Sequence, residues 1–234
     1  LAAIDAHRQL TAIGLQMASL PIDVKLARML VAANQHDVMQ ELIAICSFMG
    51  IADPRERPAD AKEAADAAHR VFSDSQSEFL GVIQLWRTYR QMHEELSQSQ
   101  LRKWCDRHFL SYMRMREWRE LHRQLLITCQ ELHWTVPAWS DIELRLRDGA
   151  SDAKAAARHY QQIHRAVLTG LPTQIGHKNE KGLFDGPRQR RFSIFPASPL
   201  AKQLPNWCLV GNLLDTQKVW GLMAAKIESD WVID

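Results

Sequence analysis

The stretch from Ser99 to Trp134 contains neither glycine nor proline. Within it Leu101, Trp104, Cys105, His108, Tyr112, Met115, Trp118, Leu121, Leu125, Cys129 and Leu132 recur every three or four residues. That spacing places them on one face of a helix. Ser99 can cap its start, and Pro137 lies just past its end. The expectation is one continuous helix of about 34 residues, a rod of roughly 50 Å. A helix that long runs through a domain and carries other helices on its flanks. Its opposite face holds Arg102, Lys103, Arg107, Arg114, Arg116, Arg119 and Arg123. Against Asp106, Glu117, Glu120 and Glu131, these seven leave the stretch at +3. A basic stripe beside aromatics suits a nucleic-acid backbone. The same residues also fit a solvated face of Arg–Glu pairs at i,i+4 spacing.

Upstream, Thr11 can cap a helix that stops at Pro21. Asp23 caps a second with Leu26, Met29 and Leu30 inward. Residues 38–50 form a buried helix that ends at Gly50. Two prolines break the chain between Asp53 and Pro58, and an Ala-rich helix follows over 60–72. The run SDSQS is a turn and cap. The helix after it turns Phe79, Leu80, Ile83, Trp86 and Met92 to one side. Residues 135–152 are a loop with a short helical turn at SDIELRLR. A last helix, 153–170, shares a face among Tyr160, Ile163, Val167 and Leu168 and stops at Gly170. His159 and His164 are five apart and are ordinary helix residues.

At Leu171 the texture changes to short alternating runs between turn residues. Five strands are expected: PTQIGHK, GLFDG, RRFSIFP, WCLVGNLLD and KVWGLMAAKIE. Phe192 and Ile194 point one way, and Arg191 and Ser193 the other. Asp215 to Lys218 make the tight turn between the last two strands. From His177 to Lys202 six basic residues (Lys178, Lys181, Arg188, Arg190, Arg191, Lys202) face Glu180 and Asp185, net +4. Five strands in about 65 residues have the size of an OB-fold, which binds oligonucleotides on its strand 2–3 face and its 1–2 and 4–5 loops. On charge alone, Arg190 and Arg191 are candidate RNA contacts. A small β-domain with a solvated basic rim fits the same pattern. The expected class is α+β: an all-α N-terminal part, then a five-stranded OB barrel.

At 234 residues the chain fits one large domain or two modest ones. Its net charge of +2 is unevenly spread. Four cysteines, at 46, 105, 129 and 208, form no CxxC pair and suit reduced thiols in a cytoplasmic protein. Cys105 and His108 make a lone CxxH with no second pair, so no metal site is expected. No run of about 18 apolar residues suggests a membrane span. Phosphate loop, GxGxxG, Asp-Glu metal pair and nucleophile cluster are all missing. With no catalytic residues to name, this stretch binds or positions.

Several segments resemble DEAH-box RNA helicases. LTAIGLQMASLPIDVKLARML is similar to the stretch that closes their winged-helix domain. RERP, WC-x-x-HF, IFPAS and LLDTQKVW resemble later landmarks in the same order. REWRELHRQL and FLGVIQLWR look most like the bacterial HrpA-type branch. The resemblance implies the end of a winged helix over 1–36, a helical ratchet domain over 37–152, and an OB-fold with a leading helix over 153–234. It implies a longer parent whose RecA-like domains hydrolyse ATP with Mg and move along RNA 3′ to 5′, while this segment needs no cofactor of its own. Single-stranded RNA is the implied partner, with DNA left open, alongside the RecA-like domains of the same chain and an activator protein. The family pattern carries RNA contacts to Arg107, His108 and Ser111 around WC-x-x-HF, the last a position often Asn in eukaryotic members. It carries others to Ser198 of IFPAS and to Thr216 and Lys218 of the turn. Trp104, Phe109 and Trp118 are expected in the core rather than as base platforms. The alternative is a protein-docking platform for activators, with little RNA affinity.

Overall fold

The computed structural model describes residues 1–144 and 152–232. They form two compact units, one of Leu1–Ile51 with Trp118–Gly170, the other of Ala52–Glu117 with Leu171–Asp234.

The first unit is helical. Thr11 caps α1 (Ala12–Ala18) and Asp23 caps α2 (Val24–Gln35), each accepting a backbone N–H from the first turn. Every residue of α3 (Met39–Met49) from Met39 to Phe48 is buried, so this helix is the unit's centre. Two later helices pack there. The C-terminal part of α7 (Tyr112–Glu131) buries Trp118, His122, Leu125 and Cys129 at the expected three-to-four spacing. The Trp118 indole donates to Ala44 O at 3.1 Å and Ser47 Oγ at 3.0 Å, and meets Phe48 edge-on. After α7, residues 139–144 are helical (α8); the rest of the expected SDIELRLR turn lies outside the described residues. Helix α9 (Ala153–Gly170) lies on α2 and α3. A Cβ at Gly170 would stand 2.3 Å from Lys25 O, so this close approach requires glycine. Glu41, buried on α3, meets His159 of α9 at 2.8 Å.

In the second unit, α4 (Lys62–Arg70), α5 (Glu78–Glu95) and α6 (Gln98–Arg107) accompany a closed barrel. Its strands are β1 (Ile175–Lys178), β2 (Phe184–Asp185), β3 (Arg191–Ile194), β4 (Trp207–Asp215) and β5 (Val219–Ile227). All five fall within the runs expected from the sequence. Their order is β1-β2-β3-β5-β4, with β4 returning to β1 and β3 parallel to β5. Phe184, Phe192, Ile194, Leu200, Cys208 and Val210 fill the interior. Ser193, expected to point outward, is nevertheless buried at 8 % exposure, so the strand's outer face is partly covered. Helix α5 is tied to β5 through Glu78, whose Oε2 accepts the Ala224 N–H at 2.6 Å and the Ser198 hydroxyl at 3.0 Å.

The single long helix is not observed. Its start is capped by Ser97 rather than Ser99, because Gln100 completes a capping box with Ser97. It then breaks into α6 and α7 at residues 108–111. Phe109 adopts φ 52°, Leu110 N–H donates to Cys105 O, and Phe109 N–H donates to Asp106 O. This is a Schellman ending with phenylalanine where glycine is usual. Tertiary pairing holds the break open: Glu56 N–H donates to Phe109 O, Ser111 N–H donates to Pro54 O, and Arg55 bridges Leu110. Ser111 then caps α7 by accepting the Arg114 N–H. The expected rod becomes helices of about 15 and 30 Å.

The end of α7 repeats the motif. His133 sits at φ 59°, with Trp134 N–H donating to Cys129 O. His133 is exposed, so His133→Gly removes left-handed strain with little lost packing. It should stabilise the chain by about 1 kcal/mol, raising Tm by roughly 2–4 °C in a thermal melt; an unchanged or lower Tm would contradict the assignment. His164 is fully buried against Tyr160, and burial pushes its pKa down to about 4 from 6.5. Below pH 6.5 the unfolded chain takes up a proton that the folded chain refuses, so stability falls as pH drops from 6.5 towards 4. Denaturant titrations should show wild type losing about 2 kcal/mol more than His164→Leu between pH 7.5 and 5.

Candidate nucleic-acid interface

Strand direction decides which loops meet. In the barrel β2 and β3 are antiparallel, β3 and β5 parallel, and β4 and β5 antiparallel. The 186–190 loop before β3 and the 216–218 loop before β5 therefore lie at one end of the strands. The 179–183 loop and the segment after β3 lie at the other. Of the expected RNA contacts, Arg190, Arg191, Thr216 and Lys218 are gathered at the first end.

The 186–190 loop is closed by Gly186 N–H donating to Arg190 O at 2.7 Å and Arg190 N–H donating to Pro187 O at 3.2 Å. Arg188 and Gln189 both take left-handed conformations, φ 58° and 60°. Such residues cost about 1–2 kcal/mol each and recur at functional loops. Arg188 and Arg190 are exposed. Arg191 is exposed too, and its Nε donates to Asp185 at 2.6 Å. That guanidinium, helped by Asn179, holds the Asp185 carboxyl below the usual range. The 216–218 hairpin is fixed by the Thr216 hydroxyl, which donates to Lys218 O at 2.8 Å and accepts the Lys218 N–H at 3.3 Å. Lys218 Nζ lies 4.8 Å above the Trp220 ring.

Ser198 sits elsewhere. It follows β3 at the opposite end, is 7 % exposed, and is engaged by Glu78 and by the Leu200 N–H. Arg107, His108 and Ser111 cluster at the α6–α7 break. Arg107 is exposed at the end of α6. His108 is half-buried, with Nδ1 2.8 Å from Trp104 O and its ring 4.5 Å from the Trp104 ring. Ser111 spends its hydroxyl as the α7 cap. Trp104 and Trp118 belong to the core at 6 % and 0 % exposure, and Phe109 is half-buried.

The basic stripe divides between its two readings. Arg123 pairs with Glu120 at 2.7 Å, which draws Glu120 down to about 2, and Arg114 donates to Asp53 O. Arg102 and Arg116 instead converge on the Tyr112 ring, 4.6 and 5.9 Å from its centroid, with no carboxylate in an ion pair with either among the described residues. Sequence reasoning missed this Arg–Tyr–Arg grouping because the break brings α6 and α7 together at a new angle. It also missed Trp220, although Lys218 and Trp220 share a strand face at period two. In the CxxH, burial raises the Cys105 thiol to about 12, and His108 Nδ1 lies 2.8 Å from Trp104 O. No group of metal-ligating side chains occurs among the described residues. No described helix is long and apolar enough to cross a membrane.

Residues 23–118 match the helicase associated domain (HA2), ratchet-like, and residues 163–234 match an oligonucleotide/oligosaccharide-binding (OB)-fold. The ATP-dependent RNA helicase HrpA homolog of Haemophilus influenzae is 39% identical over 226 residues, covering 96% of this chain. The ATP-dependent RNA helicase HrpA of Escherichia coli K12 is 38% identical over 225 residues, again 96% of the chain. The chain spans 16% of the length of each of these relatives. The barrel order, the ratchet-like match and this identity along nearly the whole chain agree: the chain is similar to one segment of HrpA-type ATP-dependent RNA helicases.

Proposed function

We propose that the chain is an accessory module of an ATP-dependent RNA helicase that guides single-stranded RNA while RecA-like domains of the same protein pull it 3′ to 5′. The observation that carries this reading is the gathering of Arg188, Arg190, Arg191, Thr216 and Lys218 at one end of an OB barrel. Exposed cations on closed, hydrogen-bonded loops can neutralise phosphates without first being ordered, which is what a sliding guide needs. The Arg102–Tyr112–Arg116 grouping, together with Arg107, offers a second patch on the helices. In this reading ATP and Mg act in the RecA-like domains, and no catalytic step falls to these residues. The ratchet role covers 37–152 and the barrel role 153–234, with 1–36 closing a winged helix. Ser198 serves the guide indirectly, by holding the segment after β3 against Glu78.

Binding of single-stranded RNA, measured against salt, should show a log–log slope of several counterions. Arg190→Glu with Arg188→Glu should weaken binding roughly tenfold or more at moderate salt and reduce the slope by about one per charge removed, with Tm unchanged. These two arginines are chosen because neither forms an ion pair among the described residues, whereas Arg191 restrains Asp185. Binding that is absent or insensitive to salt would overturn the guide and favour a docking platform for an activator protein.

A further inference from the structure

Trp220 is the second residue of β5. On either side of it, Val219 packs on the barrel core, and a Cβ at Gly221 would strike Val210 and Phe192 inside. Side-chain alternation therefore turns Trp220 outward. It is half-buried and is held by Phe195 in an edge-to-face contact, ring centroids 5.8 Å apart. What lies over its ring is the ammonium of Lys218, at 4.8 Å, on a long flexible stem. The ring thus has an aromatic neighbour and a cation over its face. Trp220 lies two residues past Lys218 of the hairpin and pairs across the seam with Ser193, two residues past Arg191. Contacts to phosphate alone would not call for an indole here. Stacking would, because every base has a π-face and a backbone-tracking groove gains affinity from it without sequence preference.

We infer that Trp220 is a nucleobase-stacking platform for single-stranded nucleic acid. An unpaired base takes the ring face that the Lys218 ammonium occupies in the free chain, and the ammonium swings to the phosphate of the same nucleotide. The exchange replaces one cation–π contact with a stack and a charge-assisted phosphate contact. It rests on the guiding reading proposed above and adds that the guide senses bases as well as phosphates.

The test compares an oligouridylate with an abasic ribose-phosphate strand of the same length, both binding the intact chain. Wild type should prefer the base-bearing strand roughly tenfold. Trp220→Ala should erase that preference while leaving abasic binding unchanged, and Trp220→Phe should keep most of it. Trp220→Leu, which retains an apolar side chain of moderate size, covers the case in which alanine loosens the barrel, and should behave as alanine does. Lys218→Gln should weaken both strands alike. A preference that survives in the alanine and leucine variants, or is absent from wild type, overturns the platform alone. Wild type that binds neither strand overturns the guiding reading and the platform with it.

Discussion

Two backbone pairs, Ser193 with Trp220 and Ile194 with Gly221, close the barrel through its parallel seam. The candidate interface depends on that seam. Parallel pairing gives β3 and β5 a common start, so the two loops that precede them share one end. The seam in turn depends on Gly221. A Cβ there would lie 2.7 Å from Val210 Cγ1 and 2.9 Å from Phe192 Cδ2, both in the packed interior. Close-packed cores absorb such intrusions poorly, so any side chain at 221 would push β5 from β3 or Phe192 from the core. Geometry that gathers charge is set by apolar packing, not by the charges themselves.

A second restraint reaches the barrel from the helices. The Glu78 carboxylate accepts from both the Ala224 amide and the Ser198 hydroxyl. It thereby fixes α5 to β5 and to the segment after β3. With Ser77 paired opposite Ala225 and the Lys226 N–H donating to Gln76 O, the start of α5 acts as an added edge to β5. Helices and barrel in this unit are thus one hydrogen-bonded body. The residues that hold it are far apart in sequence.

Much of this was legible in the sequence, for identifiable reasons. The strands announced themselves because short runs rich in apolar and β-branched residues are separated by turn residues. Thr11, Asp23 and Ser77 cap helices as local rules require. The interrupted helix was not legible, because the three-to-four spacing runs unbroken through His108 and Tyr112. What breaks it is the segment Pro54–Glu56 docking on Phe109–Ser111, a pairing with no local signature and one strong enough to hold phenylalanine in a left-handed conformation. The burial of Ser198 against Glu78 was not legible for a similar reason. Its partner lies at residue 78, and a serine in IFPAS gives no sign of that distant carboxylate. Arg190 and Arg191 were candidates by charge, and Thr216 and Lys218 by family likeness, but only strand direction shows that they share an end.

The central claim is that one end of the barrel, and not its surface at large, meets the polynucleotide. Hydrogen–deuterium exchange of the chain with and without a saturating single-stranded oligouridylate tests it most directly. Slowed exchange should concentrate in residues 186–191 and 216–220, leaving 179–183 unchanged. Protection confined to 179–183, or spread evenly around the barrel, would contradict the account.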